Sequence, residues 1–224
     1  MRRFVRENSL ALFFGGIFLG AVLGQSLVGV RVYNEEQVQH GGETISYTSY
    51  LVSSHFGQAV LENWQSEFLQ FTLYILATVW LVQRGSPESK KLEKAGGETD
   101  KDQLVGHAAQ KDSPGWAKAG GWRTWLYSNS LVLSMTSIFL ACWAVQSLDG
   151  VNEYNQGQQE HGDPTISWMT YLKSPDFWED TLQNWQSEFL AVGTMVVFSI
   201  YLRQRGSPES KPVGARHDET GRTG

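Results

Sequence analysis

Two glutamates sit in a heptapeptide that the chain writes twice: NWQSEFL, from Asn63 to Leu69 and again from Asn184 to Leu190, each time just ahead of an apolar run. A carboxylate in low dielectric can bind or relay a proton or a cation, and two like carboxylates brought together favour sharing one proton. Asn63, Glu67, Gln70, Tyr74 and Thr78 fall along one helical stripe, at steps of three and four; the second copy gives Asn184, Glu188, Ala191, Met195 and Ser199. In that second stripe the polar residues gather in the outer half, which argues against a polar track right through a bilayer. Gln25 and Gln146, each near the end of the preceding apolar run, stand at a depth similar to the glutamates and predict Gln25–Glu67 and Gln146–Glu188 contacts. The candidate proton- or cation-binding set is therefore Glu67, Glu188, Gln25, Gln146, Asn63 and Asn184. A plainer reading of the same residues is also open: Asn63 or Ser66 caps a helix, the glutamate sits at the positive end of its dipole, and Trp64 anchors at an interface.

Other chemistry is sparse. His40 and His161 could meet with two carboxylates as a nitrogen–oxygen metal site, but no HxH, HxxxH or CxxC spacing is present, and a His-Gly turn in a loop explains them more simply. No metal and no other cofactor is expected. Phosphate-binding glycine loops, a GxSxG elbow, HExxH, and basic helices with interleaved aromatics are all missing, so neither an enzyme nor a nucleic-acid partner is expected. Acid–base work on lipid at the outer surface is a third reading, without a visible nucleophile. The lone Cys142 lies in an apolar run and reads as a packing residue.

The elements that must position these groups are membrane helices. Ser9 to Val30 and Ser128 to Leu148 carry no charge, and each exceeds the roughly 20 helical residues needed to cross a hydrocarbon core. Phe68 to Val82 and Phe189 to Leu202 become long enough only when the NWQSEF segments are counted into them, which sets the glutamates inside the membrane boundary. Residues 1–24 also resemble a signal peptide, but a second copy of the helix stands in mid-chain, where a cleavage site would serve nothing; the first is read as retained. If the basic start, centre and end of the chain all face the cytoplasm, they hold 16 of the 18 Lys and Arg, leaving Arg31 and Lys173 outside. The formal charge of −5 then divides into a positive inner and a negative outer face.

Aligning Asn8 with Asn129 sets an offset of 121 residues that holds without insertion or deletion to Lys90 and Lys211. Among ionisable residues within the membrane or on its outer side, this register matches His40 with His161, Glu67 with Glu188, Tyr33 with Tyr154 and Tyr50 with Tyr171, whereas Glu35, Glu36, Glu43, Glu62 and His55 find no like partner. Each unit has two spans, so both cross in the same sense, as parallel repeats about an axis along the membrane normal.

RRFxRENSL at the start, GxRVYNEEQ from Gly29, Tyr50-Leu51, ENWQSEFLQ from Glu62 to Gln70 and QRGSPESK from Gln83 together resemble an uncharacterised bacterial family of small integral membrane proteins, a domain of unknown function. The likeness covers nearly the whole chain outside linker and tail, and implies no activity, ligand or site. The second repeat departs from the pattern where VNEYNQGQQ stands for VRVYNEEQV.

The expected fold is all-α with four transmembrane helices as two parallel two-helix repeats: residues 1–90 and 122–211 as membrane repeats, 91–121 as a flexible cytoplasmic linker, 212–224 as a disordered tail. Each external loop, of about 30 residues, should hold a short interfacial helix from Tyr50-Leu51 and Phe56 to Leu61. Gly16, Gly20 and Gly24 make a ladder for close helix packing, weakened to Ser137, Ala141 and Val145 in the second copy. The expected role is that of a non-enzymatic, multi-pass protein of the bacterial inner membrane with both termini cytoplasmic, an accessory or scaffold whose partners are the lipid bilayer and a second membrane protein or further copies of itself. The alternative is a small proton or cation transporter using the paired glutamates.

Overall fold

The computed structural model describes residues 2–223, and every regular element among them is helical. The chain is all-α. Two helices, α2 (Ser9–Gln39) and α7 (Ser130–His161), are long and apolar enough to cross a membrane.

Each long helix is preceded by a short one: α1 (Arg2–Glu7) before α2 and α6 (Gly121–Ser128) before α7. Asparagine makes both breaks. Asn8 and Asn129 leave helical geometry at ψ 17 and ψ 6, and each side-chain amide turns back to donate to Phe4 O or Trp125 O at 2.8 Å, beside its own backbone N–H on the same carbonyl. At the far end His40 and His161 close the helices, their Nδ1 atoms 2.9 and 2.8 Å from Glu36 O and Gly157 O. Gly41 and Gly162 follow at φ 79 and φ 77, a left-handed turn that glycine adopts without a Cβ penalty.

A small helix then leads into the next long one: α3 (Tyr47–Leu51) before α4 (Ser54–Trp80), and α8 (Trp168–Tyr171) before α9 (Pro175–Tyr201). Ser46 and Ser167 cap α3 and α8 by accepting from Ser49 N and Thr170 N. Here two expectations are corrected. The short helix covers Tyr50-Leu51 but stops there, because Phe56 to Leu61 run on into α4. The loops are also shorter than expected, since α2 and α7 continue as helix through the polar stretches to Gln39 and His161.

Contacts divide the chain into two compact units, Met1–Leu61 with Ala144–Phe177, and Glu62–Trp143 with Trp178–Gly224. In the first, the centre is a tyrosine pressed onto a glycine. Tyr50 and Tyr171 are almost fully buried, and a Cβ on Gly29 or on Gly150 would run into their hydroxyls. Tyr33 and Tyr154 pack on those rings at centroid distances of 5.9 and 5.8 Å. Asn34 ties its loop at two points, donating to Ile45 O at 3.0 Å and accepting from Ile45 N at 2.8 Å. Asn155 does the same with Ile166, at 2.9 and 2.8 Å. These pairs stand at the sequence offset of 121.

The second unit packs Leu69, Phe139, Cys142 and Ile200 in its interior. Trp143 gathers Phe139, Trp178 and Trp185 at ring distances of 5.6, 6.0 and 6.1 Å. Between Gly85 and Gly120 the chain forms turns, two short 3-10 segments and α5 (Gly115–Lys118).

Candidate functional site

The NWQSEFL segments do not begin their helices. α4 starts at Ser54 and α9 at Pro175, so Glu67 and Glu188 each lie more than three turns inside. This overturns the capping reading of Asn63 and Ser66: the Ser66 and Ser187 hydroxyls donate back to Asn63 O and Asn184 O at 2.8 and 2.9 Å, as mid-helix serines do. No proline stands between Ser54 and Asn63, and Pro175 is well suited to a first helical turn because its missing N–H would have no partner there. The dipole at the helix start is therefore too far away to hold the glutamates.

Glu67 is exposed on α4, and Glu188 on α9 is half-buried and within reach of the Glu67 charge. Asn184 does not join them; its amide donates to Glu62 Oε1 at 2.5 Å and to Asp180 O at 2.9 Å. Asn63 is exposed, one turn before Glu67. Gln25 and Gln146 fall in the first unit and the glutamates in the second. Gln25 is exposed and Gln146 is buried, its Oε1 atom without a hydrogen-bond partner among the described residues.

Along α4, the stripe continues through Gln70 to Tyr74, whose hydroxyl donates to Glu88 Oε2 at 2.7 Å. Glu209 lies beside Glu88. That contact, with the Glu88 charge and partial burial behind it, holds the Glu209 carboxyl above the usual carboxylate range. A cavity of ≈ 360 Å³ is lined by Gln70, Tyr74, Met195 and these two acids.

The histidines do not converge on a metal. Each satisfies a helix end, and among the described residues no three His, Cys, Asp or Glu side chains are grouped to hold an ion. His40 instead lines a cavity of ≈ 290 Å³ with Tyr33, Glu36, His55, Glu153 and Glu160.

This architecture comes with a family. The profile of a domain of unknown function, DUF6766, matches residues 1–222. The chain belongs to the DUF6766 family. No curated protein and no solved structure matches it.

Several residues of this DUF6766 chain that carry the site's geometry escape a reading of spans and stripes. Gln65 is fully buried, accepts from Trp185 Nε1 at 2.9 Å, and leaves its own Nε2 atom without a hydrogen-bond partner among the described residues. Glu88 and Glu209 lie in the two QRGSPESK motifs. The repeat register would have found them: 88 and 209 differ by the same 121 as 67 and 188. Tyr74 was visible on the stripe, but its partner, beyond the end of the helix, was not.

Proposed function

We propose that this chain is a non-enzymatic integral membrane protein that acts by packing its first helix against a further transmembrane helix, as an accessory or scaffold subunit. The observation that carries the reading is the bare glycine face of α2. A Cβ placed at Gly16, Gly20 or Gly24 meets nothing within 4 Å. Only 6 % of the apolar stretch of α2 is buried within the chain, against 22 % for α7. Lipid gains little from a ladder of small residues, whereas another helix backbone can approach closely along it. Leucine at Gly16 and Gly20 should therefore leave the fold intact and remove the association.

In this reading the chain spans the membrane four times. α4 and α9 have 27 residues each, about 40 Å at 1.5 Å per residue, which reaches across a bilayer core. The recurrence at an offset of 121 residues supports two parallel halves, and the Lys and Arg bias supports cytoplasmic termini in the inner membrane of a bacterial cell. Single cysteines at Gly42 and at Lys101, in a Cys142→Ser background, test this: a membrane-impermeant thiol reagent should label the first from outside and the second only after lysis. Equal labelling at both positions in intact cells would refute the orientation.

One observation favours a second reading, proton or cation transport: Glu67 and Glu188, matched at the offset of 121 residues, fall in the same compact unit. Flux of protons and monovalent cations into proteoliposomes separates the two. The packing account expects no flux from wild type or from the Glu67→Gln, Glu188→Gln double variant. Flux in wild type that the double variant loses would make the paired glutamates a transport site and displace the packing account.

A further inference from the structure

The most tightly held charge in the second unit is not a glutamate but Lys211, which closes the second QRGSPESK motif and is 1 % exposed. Its ammonium donates to four backbone carbonyls: Gly85 at 2.6 Å, His217 at 2.9 Å, Arg216 at 3.1 Å and Glu219 at 3.3 Å. One of these belongs to the first QRGSPESK motif and three to the C-terminal segment. A lysine that gives up water must find acceptors for all its protons, and here the backbone supplies them. The match in the first repeat, Lys90, makes a surface ion pair with Glu98 instead.

The C-terminal segment is fastened to the first motif at further points. Gly85 N donates to Thr220 Oγ1 at 2.8 Å, and Gly221 N to Ser86 O at 3.0 Å. Arg84 reaches Asp218 at 3.6 Å. Gly85, at φ 87, takes a conformation that favours glycine, and a Cβ there would collide with His217 O. From the end of α9, Arg203 donates to Ala215 O at 3.1 Å and stands 3.4 Å from the His217 ring.

We propose that residues 212–221 are a latch, with Lys211 as its pin, that clamps the two QRGSPESK turns together and so presses Glu209 onto Glu88. The latch gives the C-terminal segment a task that neither the packing account nor the transport alternative assigns to it, and it stands or falls independently of both.

Two readouts in the full-length protein test the latch. The first is trypsin cleavage after Arg216, whose side chain is exposed but whose carbonyl is held by Lys211. Cleavage needs local opening of the backbone, so its rate follows the population of the open latch. The second is disulfide formation between cysteines at positions 88 and 209 in a Cys142→Ser background. Lys211→Met keeps the length of the side chain and removes the charge; Gly85→Ala leaves Lys211 intact and blocks the seat of the latch. Both variants should speed cleavage at Arg216 by roughly tenfold or more and slow the 88–209 crosslink, with cleavage at the linker lysines unchanged. Cleavage and crosslinking at wild-type rates in both variants would overturn the proposal. So would a wild-type chain already cut at Arg216 as fast as in the linker.

Discussion

At the scale of single residues the chain uses carboxylates in matched pairs. Glu209 holds its proton more firmly than an ordinary glutamate because Glu88 hydrogen-bonds to it and adds its charge. An acid whose pKa is raised in the folded state favours the contact while it is protonated, and that stability is lost as pH rises through the raised value. The Glu88–Glu209 contact should thus be firm in acid and loosen above the usual carboxylate range. Glu88→Gln should lower the titration midpoint of Glu209, followed by carbon-detected NMR of labelled glutamate; a midpoint that stays where it was would show that the pair does not share a proton. Sequence made the matched residues legible but not their partners. Register alone identifies Glu67 with Glu188 and Gly29 with Gly150, because duplication preserves letters. It cannot reveal that Asn184 turns to Glu62 or that Lys211 collects four carbonyls, because those contacts join segments that no periodicity links.

At the scale of elements, the recurring device is a long helix notched by glycine and filled by a tyrosine from the following short helix. Gly29 receives Tyr50, and Gly150 receives Tyr171. Ser26 and Ser147 strengthen the same joint by bonding the first residue of each short helix, Tyr47 at 2.8 Å and Trp168 at 3.0 Å. Forcing a methyl group into a filled notch costs about 1–3 kcal/mol through displaced side chains. Gly29→Ala should therefore destabilise the protein, while Gly16→Ala, on an empty face, should leave it unchanged or slightly more stable; equal effects on thermal unfolding in detergent would contradict the notch. Helix class and the two long apolar runs were readable from composition, since charge-free stretches of that length have few alternatives. Helix limits were not. The C-terminal parts of α2 and α7 are polar, and the starts of α4 and α9 carry His55, Asp176 and Glu179, so hydropathy places the ends too close to the apolar runs, whereas the backbone ladder continues until a turn stops it.

At the scale of the whole molecule, the charge bias, the repeat and the uncovered α2 all bear on one claim: that this DUF6766 chain works in a membrane by associating through its first helix. The chain itself leaves Gly16, Gly20 and Gly24 open, and a small-residue seam is useful only when another backbone lies against it. The most direct measurement is the mass of the complex extracted in mild detergent from the membranes of the chain's own host, for wild type and for a Gly16→Leu, Gly20→Leu variant. The packing account predicts a wild-type particle larger than one 25.1 kDa chain, reduced to a single chain by the two leucines with helical content unchanged. A wild-type particle that is already a single chain, or a complex that survives both leucines, would contradict it.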